Sequence, residues 1–414
     1  MKKFELPTFY AIPIFLAIAL KSGVDAFFEV NSVKYLYFLL LLFGVFFLRT
    51  GRGFTRTAQQ PGEVNNLQSR LWVFVMLYFT FLTLVMILQN GSPQMVFKIV
   101  SPFIFFGLLI AAQDKSLAFA MALGAALNIL VNAAFMPFDY GWVYWGGIRT
   151  FKGFYMFKTD LSYSMAASVL VYAAWNRYKP TLDFLLLAAI AVVMVVLANS
   201  RANYLTMALV LAFIAYKNGT RPALLAGYAA FLGLVGGLAL FLYDPQKYLG
   251  FDMSNMGSFT QGRDRIAEVL LRYGLATYGP LELLFGKGLY ADLLIYMENV
   301  SDGEPNGAHN DFLYQITTQG IFGLAMNVFG WYLVYRITMS KGRREWARGL
   351  IFIAFAMYIV QGLTMAVSLY ALKTWPLAMI LLLVHISPDA LADEVSDKKA
   401  AVAKRKRRGA WGIA

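Results

Sequence analysis

The chain holds no cysteine and only two histidines. No disulfide can staple its loops, no thiolate can act as a nucleophile, and cysteine-ligated zinc or iron–sulfur sites are excluded. Charge is scarce as well. Only 14% of the 414 residues are charged, while 59% are hydrophobic; soluble domains carry about 25% charged residues. Most of this chain must therefore face something other than water. The HExxH, GxGxxG, Walker and GxSxG patterns are also absent, so none of the sites they mark is expected.

What the sequence does contain is a series of apolar runs of about 20 residues, the length that spans a bilayer as a helix. In lipid the backbone must satisfy its own hydrogen bonds, and single runs do so only as α-helices. Twelve spans are expected, at 8–22, 33–49, 71–88, 95–112, 116–135, 161–176, 181–198, 203–217, 223–243, 310–336, 349–368 and 370–386. The opening "MKKFELPTFYAIPIFLAIALKSG" has the lysines and apolar stretch of a signal peptide but no small-x-small site before Lys21. It reads as a retained first helix. The expected fold is thus an all-α, polytopic integral membrane protein. Its divisions are nine helices over 1–243, a large and partly helical periplasmic loop over 244–309, three helices over 310–386, and a basic cytoplasmic tail over 387–414.

The net charge of +13 does not indicate nucleic acid, because most Lys and Arg fall in short segments on one side of the expected membrane. Lys2, Lys3, Arg49, Arg52, Arg56, Arg70, Lys115, Arg177, Lys179, Lys217, Arg221, Arg336 and Arg348 are among them. The positive-inside rule puts that side, and both termini, in the cytoplasm. The tail "KKAAVAKRKRR" then faces anionic membrane lipids. The remaining basic residues concentrate in the two long outer segments, 136–160 and 244–309, which the charge rule does not govern.

Those outer segments carry the chemistry. In "TQGRDRIAEVLLRYG" Ile266, Val269, Leu270 and Tyr273 recur at helical spacing, and "GPLELLFGKG" starts with Pro280 and stops at Gly286, as a short helix does. Arg263 and Arg265 open the first of these amphipathic helices, where backbone N–H groups also favour an anion, and guanidinium forks grip phosphate bidentately. Arg201, in "LANSRANYLTM", falls in a tight turn between two apolar helices, where a charge is costly and usually marks a site. Arg149, Lys152 and Lys158 add positive charge in "GGIRTFKGFYMFKTD". Together they point to a polyanionic group at the outer membrane face, such as a lipid-linked pyrophosphate; bulk lipid headgroups are the plainer alternative.

His309 lies in "PNGAHNDFLYQITTQG", beside Asn306, Asn310 and Asp311 and just ahead of an apolar run. With an ordinary pKa of about 6.5, a neutral imidazole there is suited to accept a proton from an attacking hydroxyl, and Asp311 is a candidate to orient it. His385 closes the last span on the cytoplasmic side and reads as structural. Asp302–Glu304 reads as a solvated turn, while Asp25 and Glu29 in the first outer loop are rival carboxylates.

"QGR" at the start of the loop helix, "LLFGKGL", and "GAHNDFLYQITTQGIFGL" leading into a span together resemble the O-antigen ligase family. Its superfamily includes O-antigen polymerases and bacterial protein O-oligosaccharyltransferases. The resemblance implies a C-type glycosyltransferase-like fold in the bacterial inner membrane, with a periplasmic active site. The activity it implies is transfer of O-antigen from undecaprenyl pyrophosphate to a sugar hydroxyl of the lipid A core oligosaccharide. The family's essential histidine corresponds to His309, and its arginines to Arg201 and to Arg263 or Arg265. The aromatic residue that usually follows the loop arginine is missing, with Glu268 and Val269 nearby. Inverting transfer without a metal or other cofactor is the expected mechanism, with Arg149, Lys152, Lys158, Asn306, Asn310 and Asp311 as candidate substrate contacts. A polymerase with the same donor is the nearest alternative, and a lipid-linked sugar transporter a more distant one.

Overall fold

The structure, a computed structural model, describes residues 9–20, 31–51, 62–88, 91–112, 116–145, 148–155, 157–219, 263–300, 309–339, 345–363 and 371–386. The expected ninth span, Asn306 and the basic tail lie outside these residues. A helix stands at every other expected span: α1 (Ile12–Ala19), α2 (Asn31–Gly51), α3 (Gly62–Leu88), α4 (Pro93–Ala112), α5 (Ser116–Ala134), α6 (Lys158–Trp175), α7 (Leu182–Ala198), α8 (Arg201–Asn218), α12 (Asp311–Met339), α13 (Glu345–Gly362) and α14 (Ala371–Ile386). Three short helices fall in the long loop: α9 (Arg263–Val269), α10 (Pro280–Phe285) and α11 (Ala291–Asn299).

Among the described residues, four helical segments are long and apolar enough to cross a membrane: Asn66–Leu88, Pro93–Ile110, Ser116–Ala134 and Asp311–Met339. The 23 residues of the first rise about 34 Å at 1.5 Å each, enough for a hydrocarbon core of about 30 Å. Helix α3 is apolar all round. Leu71, Phe74, Tyr78 and Leu82 are buried while Val73, Met76, Leu77 and Leu84 are exposed. Such a helix belongs in lipid, where exposed apolar side chains cost nothing. The last helix, α14, sits centrally and packs against α4, α6, α12 and α13, with Leu377, Leu381 and Val384 buried.

One departure from the all-α expectation is an antiparallel hairpin of β1 (Trp142–Trp145) and β2 (Ile148–Phe151), with Trp142 opposite Phe151 and Tyr144 opposite Arg149. Aromatic and β-branched residues around a Gly-Gly pair are a hairpin pattern, in a segment where charge is the more conspicuous feature.

The loop helices form a second core of their own. Ile266, Val269 and Leu270 pack with Tyr278, Ala291, Ile295 and Tyr296, and with Tyr314 of α12. The loop is thereby a folded cap seated on the first turns of α12, with the greasy face of α9 turned inward and Arg265 exposed.

Where that cap meets α12, the long helix breaks. Gly320 adopts φ 70, ψ −175, and Gly286, at the end of α10, adopts φ 75, ψ 179. Both values lie in a region essentially confined to glycine. The two glycines face each other's backbone. A Cβ on Gly320 would stand 2.3 Å from the Leu284 carbonyl oxygen, and one on Gly286 would stand 2.3 Å from that of Thr318. The break frees helix carbonyls that have no water to turn to, and the loop supplies their donors. Lys287 N–H donates to Thr317 O (3.1 Å) and Gly288 N–H to Thr318 O (3.0 Å), while the Tyr278 hydroxyl donates to Thr317 O (2.9 Å). Burial raises the Tyr278 phenol above its usual value, with the Glu282 and Asp292 carboxylates adding to the effect, so it stays a donor at neutral pH. A broken membrane helix is tolerated where partners of this kind satisfy its backbone.

Alanine at Gly286 or Gly320 should each cost roughly 2 kcal/mol or more, from strained backbone alone. Since both break one interface, the double variant should cost less than the sum of the two. Thermal unfolding in detergent measures both effects, and additive losses would show that the glycines act separately.

Candidate functional site

Four of the proposed site residues, Lys158, Arg201, Arg263 and Asp311, open helices, and polar side chains draw three of those helix starts together. Helix α7 ends at Ala198, and Asn199 turns the chain in a left-handed conformation (φ 49, ψ 54), a role asparagine fills more readily than most residues. Two residues later Arg201 begins α8, as the tight-turn reading expected. Asn203, fully buried, donates from Nδ2 to Thr159 O in the first turn of α6 (3.0 Å) and to Ser200 Oγ (2.8 Å). Its Oδ1 accepts from Gln361 Nε2 of α13 at 2.5 Å. The start of α8 is thus tied to the start of α6, which carries Lys158, and to the end of α13.

The end of α13 in turn meets the start of α12. A Cβ on Gly362 would lie 3.6 Å from Asp311 Cβ, and Asn310 Nδ2 reaches Leu363 O at 3.5 Å. Asn310 is the N-cap of α12: its Oδ1 accepts from Leu313 N–H (3.0 Å) and its carbonyl from Tyr314 N–H (2.9 Å), satisfying two of the donors a helix start leaves open. His309 precedes this cap and is half-buried. Asp311 is buried; its Oδ2 accepts from Gln315 Nε2 (2.8 Å) and lies 3.4 Å from the Tyr358 hydroxyl.

The N-terminal ends of α6, α8 and α12, with Lys158, Arg201 and His309, therefore gather at one end of the bundle. Each N-terminus carries a partial positive charge and open N–H groups. The loop cap approaches α12 just past His309, through Leu313 and Tyr314, and so brings α9, with Arg263 and Arg265, to the same helix.

Arg149 and Lys152 already have partners. Arg149 pairs with Asp139 (2.5 Å) and lies over the Trp142 ring (4.8 Å), and Lys152 lies over the Tyr140 ring (4.7 Å). A phosphate at either would compete with a partner within the hairpin region. Among the described residues no group of three or more His, Asp or Glu is arranged to hold a metal ion.

Residues 186–328 match the family model described as O-antigen ligase. That match supports the O-antigen ligase family. No curated protein matches the chain. Members of this family are membrane glycosyltransferase-like enzymes, and with the apolar helices the match indicates a bacterial inner-membrane protein. The matched segment runs from α7 into α12 and includes Arg201, Arg263, Arg265 and His309.

Sequence reasoning missed Asn203, Gln361, Gln315 and Tyr358. Their signal was available: amides within otherwise apolar helices are costly in lipid unless they bind one another.

Asn310→Ala should cost about 1 kcal/mol by loss of the cap, while Asn310→Asp or Asn310→Ser should keep most of it. Unfolding midpoints of the three variants in detergent test this; an alanine variant as stable as wild type would exclude a capping role.

Proposed function

We propose that the chain is an O-antigen ligase of twelve membrane spans with both termini in the cytoplasm and a periplasmic active site. It transfers O-antigen from undecaprenyl pyrophosphate to a hydroxyl of the lipid A core oligosaccharide. The observation that carries this reading is the gathering of the α6, α8 and α12 N-termini, with their Lys, Arg and His, beneath a folded cap that bears two more arginines.

The physical chemistry is direct. The donor's leaving group is a pyrophosphate, and positive helix ends with fixed cations stabilise the charge that develops on it as the glycosyl bond breaks. Arg201 and one of Arg263 and Arg265 grip its oxygens. Lys158, buried at the start of α6, adds charge, and Arg149 and Lys152 are further candidate contacts for the donor. Neutral His309 takes the proton of the acceptor hydroxyl as that oxygen attacks the anomeric carbon. Asp311 and Asn310 serve by fixing the helix start that presents the imidazole. One displacement opposite the departing pyrophosphate inverts the anomeric centre, and arginines take the charge-neutralising role that a divalent cation has in other phosphate chemistry.

The test is a reconstitution in detergent with EDTA, combining the purified chain, undecaprenyl-pyrophosphate-linked glycan and lipid A core. The expected result is a gel shift of the lipopolysaccharide, with initial rate lowered about 10²–10⁴-fold in His309→Ala. Longer undecaprenyl-linked chains without modified lipid A core would identify a polymerase instead. An unchanged rate in His309→Ala would exclude it as the base.

Arg201→Lys should keep charge but lose the bidentate grip, lowering kcat/KM well below wild type. Parallel Arg263→Lys and Arg265→Lys variants should separate the two loop arginines, with a large loss at only one of them. Initial rates at several donor concentrations supply the comparison, and no loss at either loop position would remove the cap from the mechanism.

A further inference from the structure

At the opposite end of the bundle from Arg201, α5, α6 and the start of α7 line an open groove of about 530 Å³, within the size range of small-ligand sites. Its wall is aromatic on one side, with Phe119, Tyr172 and Trp175; the Trp175 ring lies 5.7 Å from Phe119 and 5.6 Å from Tyr172 between centroids. Thr181 and Asp183 complete the lining. The Tyr172 hydroxyl donates to Asp183 Oδ2, which holds the carboxylate beside the Tyr172 ring. Asp183 also benefits from the α7 dipole, but that interaction requires neither the groove nor the three rings.

A carboxylate beside aromatic faces is the chemistry that holds an ammonium group, by charge-assisted hydrogen bonds and by attraction to the ring quadrupoles. Cations of the protein itself lie close by in the chain. Arg177 and Lys179, both exposed, belong to the turn that joins α6 to α7, between Trp175 and Thr181. A ligand that meets both features carries a cation and a phosphate a few ångströms apart, together with apolar chains to lie along Leu123 and Ala126.

We infer that this groove binds a zwitterionic phospholipid with a primary ammonium headgroup, chemically a phosphatidylethanolamine. Its ammonium sits between Asp183 and the Tyr172 and Trp175 rings, its phosphate faces Arg177 and Lys179, and its acyl chains follow α5. A primary ammonium donates hydrogen bonds to the carboxylate, which a quaternary one cannot do. An anionic lipid without an ammonium brings its charge against Asp183. The site is remote from Arg201 and His309 and does not depend on the transfer reaction.

Native mass spectrometry of the purified full chain tests this, with phosphatidylethanolamine, phosphatidylglycerol and phosphatidylcholine of matched acyl chains titrated into detergent. Phosphatidylethanolamine should be retained about tenfold better than phosphatidylglycerol, the scale of one charge-assisted contact. Asp183→Asn should bring the two lipids to near parity, and Trp175→Leu should weaken phosphatidylethanolamine several-fold while leaving phosphatidylglycerol unchanged. Should Asp183→Asn not fold, the wild-type headgroup series and Trp175→Leu decide. Equal retention of the two lipids by wild type, a preference that survives Asp183→Asn, or phosphatidylcholine bound as well as phosphatidylethanolamine would overturn the assignment.

Discussion

Two glycines on different elements hold the loop cap to the long helix α12. Gly286 and Gly320 both take a backbone conformation that other residues avoid, and each leaves room for the other's carbonyl strand. The contact cannot be approximated with larger residues, because the neighbouring atoms are backbone and have nowhere to move. Much else depends on it. The broken α12 obtains its missing donors from Lys287 and Gly288, and α10 is fixed to the side of α12. Through the Tyr278–Tyr314 cluster the arginine-bearing α9 acquires a defined position. Without the interlock the cap would be a tethered loop and its arginines would have no fixed relation to His309.

A second constraint works below the cap. Membrane interiors penalise unpaired polar groups, yet Asn203, Gln361, Asp311 and Gln315 are all buried among apolar helices. They are affordable because they bind one another and the helix ends: Gln361 to Asn203, Asn203 to the α6 backbone, Gln315 to Asp311. The bonds through Asn203 also fix the relative heights of α6, α8 and α13, and the Tyr358 hydroxyl, 3.4 Å from Asp311 Oδ2, ties α12 to α13. Packing of leucines and phenylalanines resists sliding only weakly, whereas a directional amide bond fails within about an ångström of displacement. The polar residues thus set where Lys158, Arg201 and His309 come to rest.

Legibility from sequence was uneven for physical reasons. Helical segments were plain, because an apolar run in lipid has one backbone solution. Pro280 and Gly286 bounded α10 correctly, since their backbone preferences are local. The hairpin at 142–151 escaped notice although its alternation was in view. The loop helices were legible as amphipathic segments, but only the structure shows that the greasy face of α9 packs into the cap's own core and against Tyr314. Asn310 and Asp311, read as substrate contacts, have clear structural work as an N-cap and as a buried acceptor for Gln315, and that work is invisible until the neighbouring helix is known.

The sequence by itself determined the class of the molecule, the identity of its charged and titratable groups, and the glycines that interlock, since composition, hydrophobic run length and φ-angle preference are properties of short stretches. Only the tertiary structure decided that "LLFGKGL" and "QITTQG" lie against each other, and that the openings of α6, α8 and α12 gather at one end. Those relations join residues far apart in the chain through backbone hydrogen bonds and close approach, and no local pattern encodes which distant carbonyl a freed N–H will find.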